Sequence, residues 1–239
     1  MLGSNRAKDF VVLRDHILSN FKELPEMCEY MNRGIFDTAE RYGKDVFLSI
    51  KYLGTEKLPK AYAIKSSAEY FLNKIPFLPK FLPDLFLYYL SRLFPQHLPK
   101  RLLKYRDRFE YYLILSMSDE GIDEARCYLE KEWSRLEGVD FFECSEQEQE
   151  AALLHRFAAA GAAIRYQNLH QRTTEEVLAL DIALLGNDKE WVEELPDEIT
   201  EHLELALYYG HFMCHVFHQD YIFKKGTDIE AMKKKMPRH

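Results

Sequence analysis

The stretch "GHFMCHVFHQDYI", residues 210–222, places His211, His215 and His218 four and three residues apart. On a helix the three imidazoles would share one face and could close on a metal ion. On a strand, His211 and His215 would lie about 13 Å apart, at about 3.3 Å of rise per residue. Gly210 tips this reading. Asp197 to Tyr209 is expected to be helical, with Ile199, Leu203 and Leu207 aligned, and Gly210 takes the C′ position, where a left-handed turn is easiest without a Cβ. Residues 211–222 then fall outside that helix, and their Phe, Val, Tyr and Ile favour a strand. Odd and even positions are both mostly apolar, as in a strand covered on two sides. In that form the three rings cannot share one ion. They read as core or interface histidines, or as one or two rings facing a ligand.

Working outward, Phe10, Leu13, Ile17, Leu18 and Phe21 repeat at helical spacing after a Ser4-Asn5 cap and stop before Pro25. "CEYMNRGIF" (28–36) reads as strand-like, and "DTAERYG" (37–43) as a short helix ended by Gly43. "FEYYLILS" (109–116), "VDFFEC" (139–144) and "VLALDIALL" (177–185) read as strands. Between the first two lies a helix with Ile122, Ala125, Leu129, Trp133 and Leu136 on one side. Ser145 and Glu148 form a capping box that opens a long Ala-rich helix, and Thr227 with Glu230 forms a second. Strands alternating with helices imply an α+β fold, a mainly antiparallel sheet flanked by helices.

The chain's net charge of −7 argues against a nucleic-acid binder, but it hides an asymmetry. Residues 51–108 carry twelve Lys or Arg against four acids, a net of +8, which leaves −15 on the rest. Six of the nine prolines lie in the same window. "KIPFLPKFLPDLFLYYLSRLFPQHLPKRLLKYRDR" (74–108) is too broken to span a bilayer, which takes about 20 apolar residues. Its longest clean helical piece, Leu85 to Phe94, is only about 15 Å long. Short apolar segments among cations and rings suit a bilayer interface instead, with side chains at the acyl boundary and cations at anionic headgroups. The residues expected to do this are Lys74, Lys80, Arg92, Lys100, Arg101, Lys104, Arg106 and Arg108, with Phe77, Phe81 and Phe86. RNA binding is disfavoured, since the stretch lacks the glycines and ordered aromatic platform of common modules.

Four scattered cysteines without a CxxC pair read as reduced thiols in a cytosolic protein. The N-terminus lacks the apolar core of a signal peptide. No GxGxxG, GxSxG or HExxH occurs.

At "HRFAAAGAAIRYQ" (155–167), "LALDIAL" (178–184) and "LYYGHFMCHVFHQDYIFKKG" (207–226) the chain resembles the FAD-containing, quinone-dependent respiratory D-lactate dehydrogenases of bacteria. "GSNRAKDFVVLRDHIL", "CEYMNRGIFDTAERYGKD" and "LFPQHLPKRLLKYRDRFEYYL" extend the likeness to nearly the whole chain. The resemblance implies a cap domain in two parts, 1–50 and 109–239, around a membrane-binding insertion at 51–108. FAD would be bound by a separate FAD-binding domain of the same full-length protein, and this chain would be a fragment. Implied partners are D-lactate, a quinone and an anionic phospholipid membrane, at the cytoplasmic face of the bacterial inner membrane. His211 and His218 are the expected catalytic residues, as base or hydrogen-bond donor, and Arg156 and Arg165 the expected holders of the lactate carboxylate. No cofactor-binding or metal-binding residue is expected within the chain.

More distantly, "GH" with a second His seven residues on resembles Gly-His-x-Gly-Asp-Gly-Asn-x-His of flavoproteins that oxidise 2-hydroxy acids. The intervening "FMCHVF" lacks the glycines that let that motif bend. The competing expectation is a stand-alone, non-enzymatic adaptor at a membrane surface.

Overall fold

The computed structural model describes residues 1–22, 25–78, 81–186, 188–191 and 194–236. Its elements run β1 (Leu2–Ser4), α1 (Ala7–Asn20), β2 (Met27–Asn32), α2 (Arg33–Tyr42), α3 (Lys44–Leu53), α4 (Leu58–Leu72), α5 (Leu82–Arg92) and α6 (Lys100–Arg106). They continue with β3 (Tyr111–Ser116), α7 (Glu120–Lys131), β4 (Val139–Phe141), α8 (Glu146–Leu169), β5 (Thr174–Ala183), α9 (Asp197–Thr200), β6 (Leu203–His211), β7 (Val216–Lys224) and α10 (Ile229–Lys235). The strands form an antiparallel sheet in the order β4-β1-β3-β2-β6-β7-β5. The expected α+β class with an antiparallel sheet is what is found.

Period-two alternation sends successive side chains to opposite faces, and here both faces are covered. Met31, Tyr112, Leu207, Tyr209 and Ile222 pack towards α2 and α8. Tyr30, Leu113, Tyr208, Phe217, Tyr221 and Phe223 pack on the other side with Phe10, Leu13 and Ile17 of α1. That two-sided burial explains strands apolar at odd and even positions alike.

The expected helix over 197–209 is corrected. Helix α9 ends at Thr200, and residues 203–211 form strand β6, bonded on both edges to β2 and β7. Leu203 and Leu207 fit a helical repeat, but Leu203, Leu205, Leu207 and Tyr209 fit a period of two equally well, and pairing with two neighbours decides between them. Gly210 is not a helix stop. It lies inside β6, where a Cβ would meet Phe217 Cα at 2.8 Å and clash with the Val216 carbonyl oxygen.

The single strand expected over 211–222 is also corrected. Residues 212–215 are a turn between β6 and β7, made with His215 in the left-handed region at φ 53°. Two caps differ as well. Ser4 ends β1 and bonds Asp9 and the Arg6 amide, leaving Arg6 at the N-cap of α1. Asp228, not Thr227, caps α10 by accepting from the Ala231 amide. The Ser145–Glu148 capping box of α8 is present as read.

Helix α8 is the spine. Its buried Ala151, Ala152, Ala158, Ala159, Ala162 and Ala163 let α2 and α3 approach closely. At their junction, a Cβ on Gly43 would touch the Ala158 carbonyl oxygen at 2.9 Å and Ala158 Cβ at 3.0 Å.

Further along, α8 meets the insertion through buried charge. Asp84 of α5, only 1% exposed, takes Lys65 Nζ of α4 at 2.9 Å, Arg165 Nε of α8 at 2.7 Å and Asn168 Nδ2 at 2.7 Å. Arg165 Nη2 reaches Asp45 of α3 at 2.8 Å. The Lys65 ammonium titrates above its ordinary value: burial is the largest influence and opposes this, but the bonds and charges of Asp84 and Glu69 together outweigh it. Removing one partner of a buried ion pair strands the other charge in a low dielectric. Asp84→Ala should therefore cost about 3 kcal/mol in urea unfolding and accelerate hydrogen exchange in α4 and α5 before α2. Unchanged exchange in those two helices would show that the network does not hold the insertion.

Candidate functional site

The β6–β7 turn folds the chain so that Tyr209 pairs with His218 and His211 with Val216. His211 and His218, on opposite faces of a single strand by parity, thereby come to one face with ring centroids 5.8 Å apart. The bend that glycines provide in the wider flavoprotein motif is made here by His215.

Each of the two rings is held by a carboxylate. His211 Nδ1 lies 2.9 Å from Glu29 Oε1 of β2, and His218 Nδ1 lies 2.5 Å from Asp181 Oδ1 of β5. An ionised carboxylate only accepts, so each Nδ1 is the donor, and in the neutral form of either ring Nε2 is the nitrogen that accepts. Arg156 of α8 donates from Nε to the other oxygen of Glu29 at 2.8 Å. Its Nη groups have no hydrogen-bond partner among the described residues, which leaves that edge of the fork free for an incoming carboxylate. Tyr209 packs against His218 at 4.9 Å between centroids and bonds Asp220 at 3.2 Å. Burial pushes the Asp220 carboxyl above its ordinary value, against the opposing bond from Tyr209. The cluster opens outwards, since the His211 side chain is 47% and that of Asp181 77% exposed.

Three of the four expected site residues, His211, His218 and Arg156, thus stand together. Arg165 stands apart, nine residues or about 13 Å further along α8, committed to Asp45 and Asp84. His215 packs away from the pair, with its Nε2 3.5 Å from Arg14 Nη1 and its ring against Trp191. Among the described residues no His, Cys, Asp or Glu group has the arrangement to hold a metal ion. Sequence reading missed Glu29, Asp181 and Tyr209. Pairing of β2 with β6 supplies Glu29, of β5 with β7 Asp181, and of β6 with β7 Tyr209, and such pairing leaves no local signature.

The expected membrane residues divide into two groups. Arg101 bonds Glu148, Arg106 bonds Glu40 and Asp37, and Arg108 reaches Asp140 at 2.8 Å, so these three tie α6 and its C-terminal loop to the body. Lys74 sits over the Tyr70 ring at 4.0 Å, and Arg92 bonds the Tyr88 hydroxyl at 2.9 Å. Lys100 and Lys104 are exposed without a carboxylate partner among the described residues. Phe77 is 94% and Phe86 62% exposed, while Phe81 is half-buried at the start of α5. Lys80 lies outside the described residues. Helix α4 buries no residue, and its Tyr62, Ile64, Tyr70 and Phe71 face outwards. Among the described residues no helix is long and apolar enough to cross a membrane. Cys28, Cys127, Cys144 and Cys214 are free thiols.

A carboxylate-held histidine pair on an antiparallel sheet, joined by one long helix to an insertion with uncovered apolar side chains, is the architecture to be placed. The chain belongs to the family described as D-lactate dehydrogenase, membrane binding, which matches residues 1–239. Relatives named quinone-dependent D-lactate dehydrogenase are 49% identical over 235 residues in Escherichia coli K12 and 47% over 235 residues in Haemophilus influenzae. A third, from Corynebacterium glutamicum, is 37% identical over 232 residues. These alignments cover 97–98% of this chain but only 41–42% of each relative.

Glu29 is the keystone of the cluster. Glu29→Gln should move the His211 tautomer away from the Nδ1–H form, read in its side-chain ¹⁵N shifts, with His218 unmoved. Unaltered His211 shifts would mean that the carboxylate does not set the tautomer.

Proposed function

We propose that this chain is the membrane-contacting and substrate-capping part of a peripheral flavoenzyme that oxidises D-lactate to pyruvate and passes electrons to a quinone. On this reading residues 51–108 are the membrane insertion, and 1–50 with 109–239 form the cap over a flavin held by another part of the same protein. The site of action is the cytoplasmic face of a bacterial inner membrane.

The observation that carries the membrane half is the apolar surface of the insertion, left uncovered by the protein's own residues at Ile64, Phe71, Phe77, Phe86 and Leu93. Fully burying such a side chain is worth about 1.5–3 kcal/mol, and a cation beside an anionic surface adds about 1 kcal/mol. Lys74, Lys100 and Lys104 are free to supply that second contribution. With vesicles containing phosphatidylglycerol, Lys74, Lys100 and Lys104 changed together to Glu should weaken binding by at least about 100-fold. Phe77→Ser with Phe86→Ser should weaken binding to neutral vesicles as well. Co-sedimentation equal to that of the parent protein in both cases would overturn the reading.

For the chemical half, the free Nη edge of Arg156 takes the lactate carboxylate in a bidentate pair. The hydroxyl then points at an imidazole Nε2. His211 is the base, because Glu29 ties it to the same guanidinium, and His218 is the second hydrogen-bond partner. As the hydroxyl proton moves to His211, electron density builds on the substrate carbon and its hydrogen leaves with the bonding pair. The flavin, when bound, supplies the acceptor for that hydride. Glu29 stabilises the imidazolium that forms, so the base gains its proton beside a fixed negative charge.

In the full-length protein, Arg156→Lys should raise KM for D-lactate, because a point charge replaces a fork. His211→Asn should lower kcat by about 10²–10⁴-fold. A His211→Asn enzyme with parental kcat would remove His211 from the mechanism.

A further inference from the structure

Between α2, the start of α3, the end of α5 and α6 lies an open cavity of about 680 Å³, in the size range of small-ligand sites. Every described residue on its lining is charged or polar. Ion pairing divides them. Arg33 is met by Glu110 at 3.0 Å, and Arg106 by Asp37, Glu40 and Asp107. Arg41 of α2, Lys44 of α3 and Arg92 of α5 also line the cavity but have no carboxylate partner among the described residues. Neutral oxygens take that place. Arg92 Nη1 donates to the Tyr88 hydroxyl at 2.9 Å, and Lys44 Nζ donates to the Phe94 carbonyl oxygen at 2.6 Å. The Tyr88 hydroxyl is also the chief influence on Arg41, whose guanidinium it raises above its ordinary value. Lys44 titrates below its ordinary value, through burial first and the Arg92 charge second, against the opposing charge of Glu40. Three helices thus bring like charges to one place with no anion between them. Their repulsion is a standing cost that a bound anion removes.

The number and kind of donors select the anion. Two guanidinium forks and one ammonium suit several acceptor oxygens on one centre. A carboxylate offers two oxygens and a single charge, and a phosphate diester offers two terminal oxygens and a single charge. A phosphate monoester offers three terminal oxygens and a charge of about −1.5 to −2 near neutral pH. The polar lining provides no apolar wall for a hydrocarbon tail. The carboxylates of Asp37, Glu40 and Asp107 on the rest of the lining accept from hydroxyl or amine groups instead. We propose that this cavity binds a small soluble phosphate monoester, with its phosphate held by Arg41, Lys44 and Arg92 and its polar body towards the three carboxylates. Arg41 and Lys44 belong to the body and Arg92 to the insertion, so the ligand bridges the two and its binding favours their docked arrangement.

The test is calorimetric titration of the full-length protein with glycerol monophosphate, with the diester glycerophosphoglycerol and with acetate. Saturable binding of the monoester is expected, with the diester and acetate each at least about tenfold weaker. Arg41→Gln, at an exposed side chain, and Arg92→Gln should each weaken the monoester by about tenfold or more. Lys100→Glu with Lys104→Glu, outside the cavity, should leave its affinity unchanged. The monoester should also slow hydrogen exchange at the end of α5 in the parent protein but not in Arg41→Gln. Absence of saturable binding, parental affinity in both Arg41→Gln and Arg92→Gln, or an equal loss in the Lys100 and Lys104 variant overturns the site. Tighter binding of the diester would put the phosphate on a lipid headgroup and overturn the soluble ligand. None of these measurements depends on turnover of D-lactate.

Discussion

A single buried carboxylate organises the link between the two halves of this molecule. Isolated, the Asp84 charge could not persist at that depth, since desolvating an ion costs far more than a domain's net stability. It persists because Lys65, Arg165 and Asn168 converge on it from two other helices. Attraction of this kind needs close geometry but very little apolar contact area. Helix α4 can therefore be held without burying a single residue, and its rings and aliphatic side chains are released to face outwards. Had the insertion been fixed by ordinary core packing, that apolar surface would have been consumed within the protein. Polar anchoring and apolar display are two sides of one arrangement.

Helix α8 carries the consequence to the sheet. Arg156 and Arg165 lie on the same rigid rod, one at the histidine cluster and one at the insertion. The alanine stripe between them lets α2 and α3 press close, which makes the rod a packed element that resists bending. The orientation of the insertion at a surface is therefore mechanically coupled to the face of the sheet bearing His211 and His218. A continuous helix of 24 residues sets the polar cluster and residues 51–108 in a fixed relation to each other.

Much of this was legible in the sequence, for identifiable reasons. The Ser145–Glu148 box opens α8 because its signal is local and complete within four residues. The strands over 109–116 and 177–185 were readable because aromatic and β-branched residues are dense there. The error over 203–209 arose where leucines four apart satisfied two periods at once, and Gly210 was given a local role when its reason is the neighbouring strand. The hairpin was hidden because its turn uses His215, an L-residue that rarely adopts positive φ. Arg165 looked like Arg156 in sequence, a cation on a long helix. Asp45 and Asp84, which set it apart, lie 120 and 81 positions away. Partners at such separations leave no mark on local pattern.

The charge asymmetry shows the same limit and then resolves it. Opposite nets on residues 51–108 and on the rest of the chain led Arg101, Arg106 and Arg108 to be read among the cations of a bilayer interface. Part of that opposition is instead internal docking: Arg101, Arg106 and Arg108 meet Glu148, Glu40 and Asp140 across the boundary. Lys57, Lys60, Lys74, Lys100 and Lys104 are exposed with no carboxylate partner among the described residues, and Lys74 sits over the exposed Tyr70 ring. An anionic bilayer repels a chain of net charge −7 only over distances that salt does not screen, and at physiological ionic strength that reach is about 8 Å. Within it, the local sign decides. Residues 51–108 carry +8 and the rest of the chain −15, so local sign favours an approach to a negative surface led by residues 51–108, and the charge that argues against membrane contact in total becomes a means of orienting it.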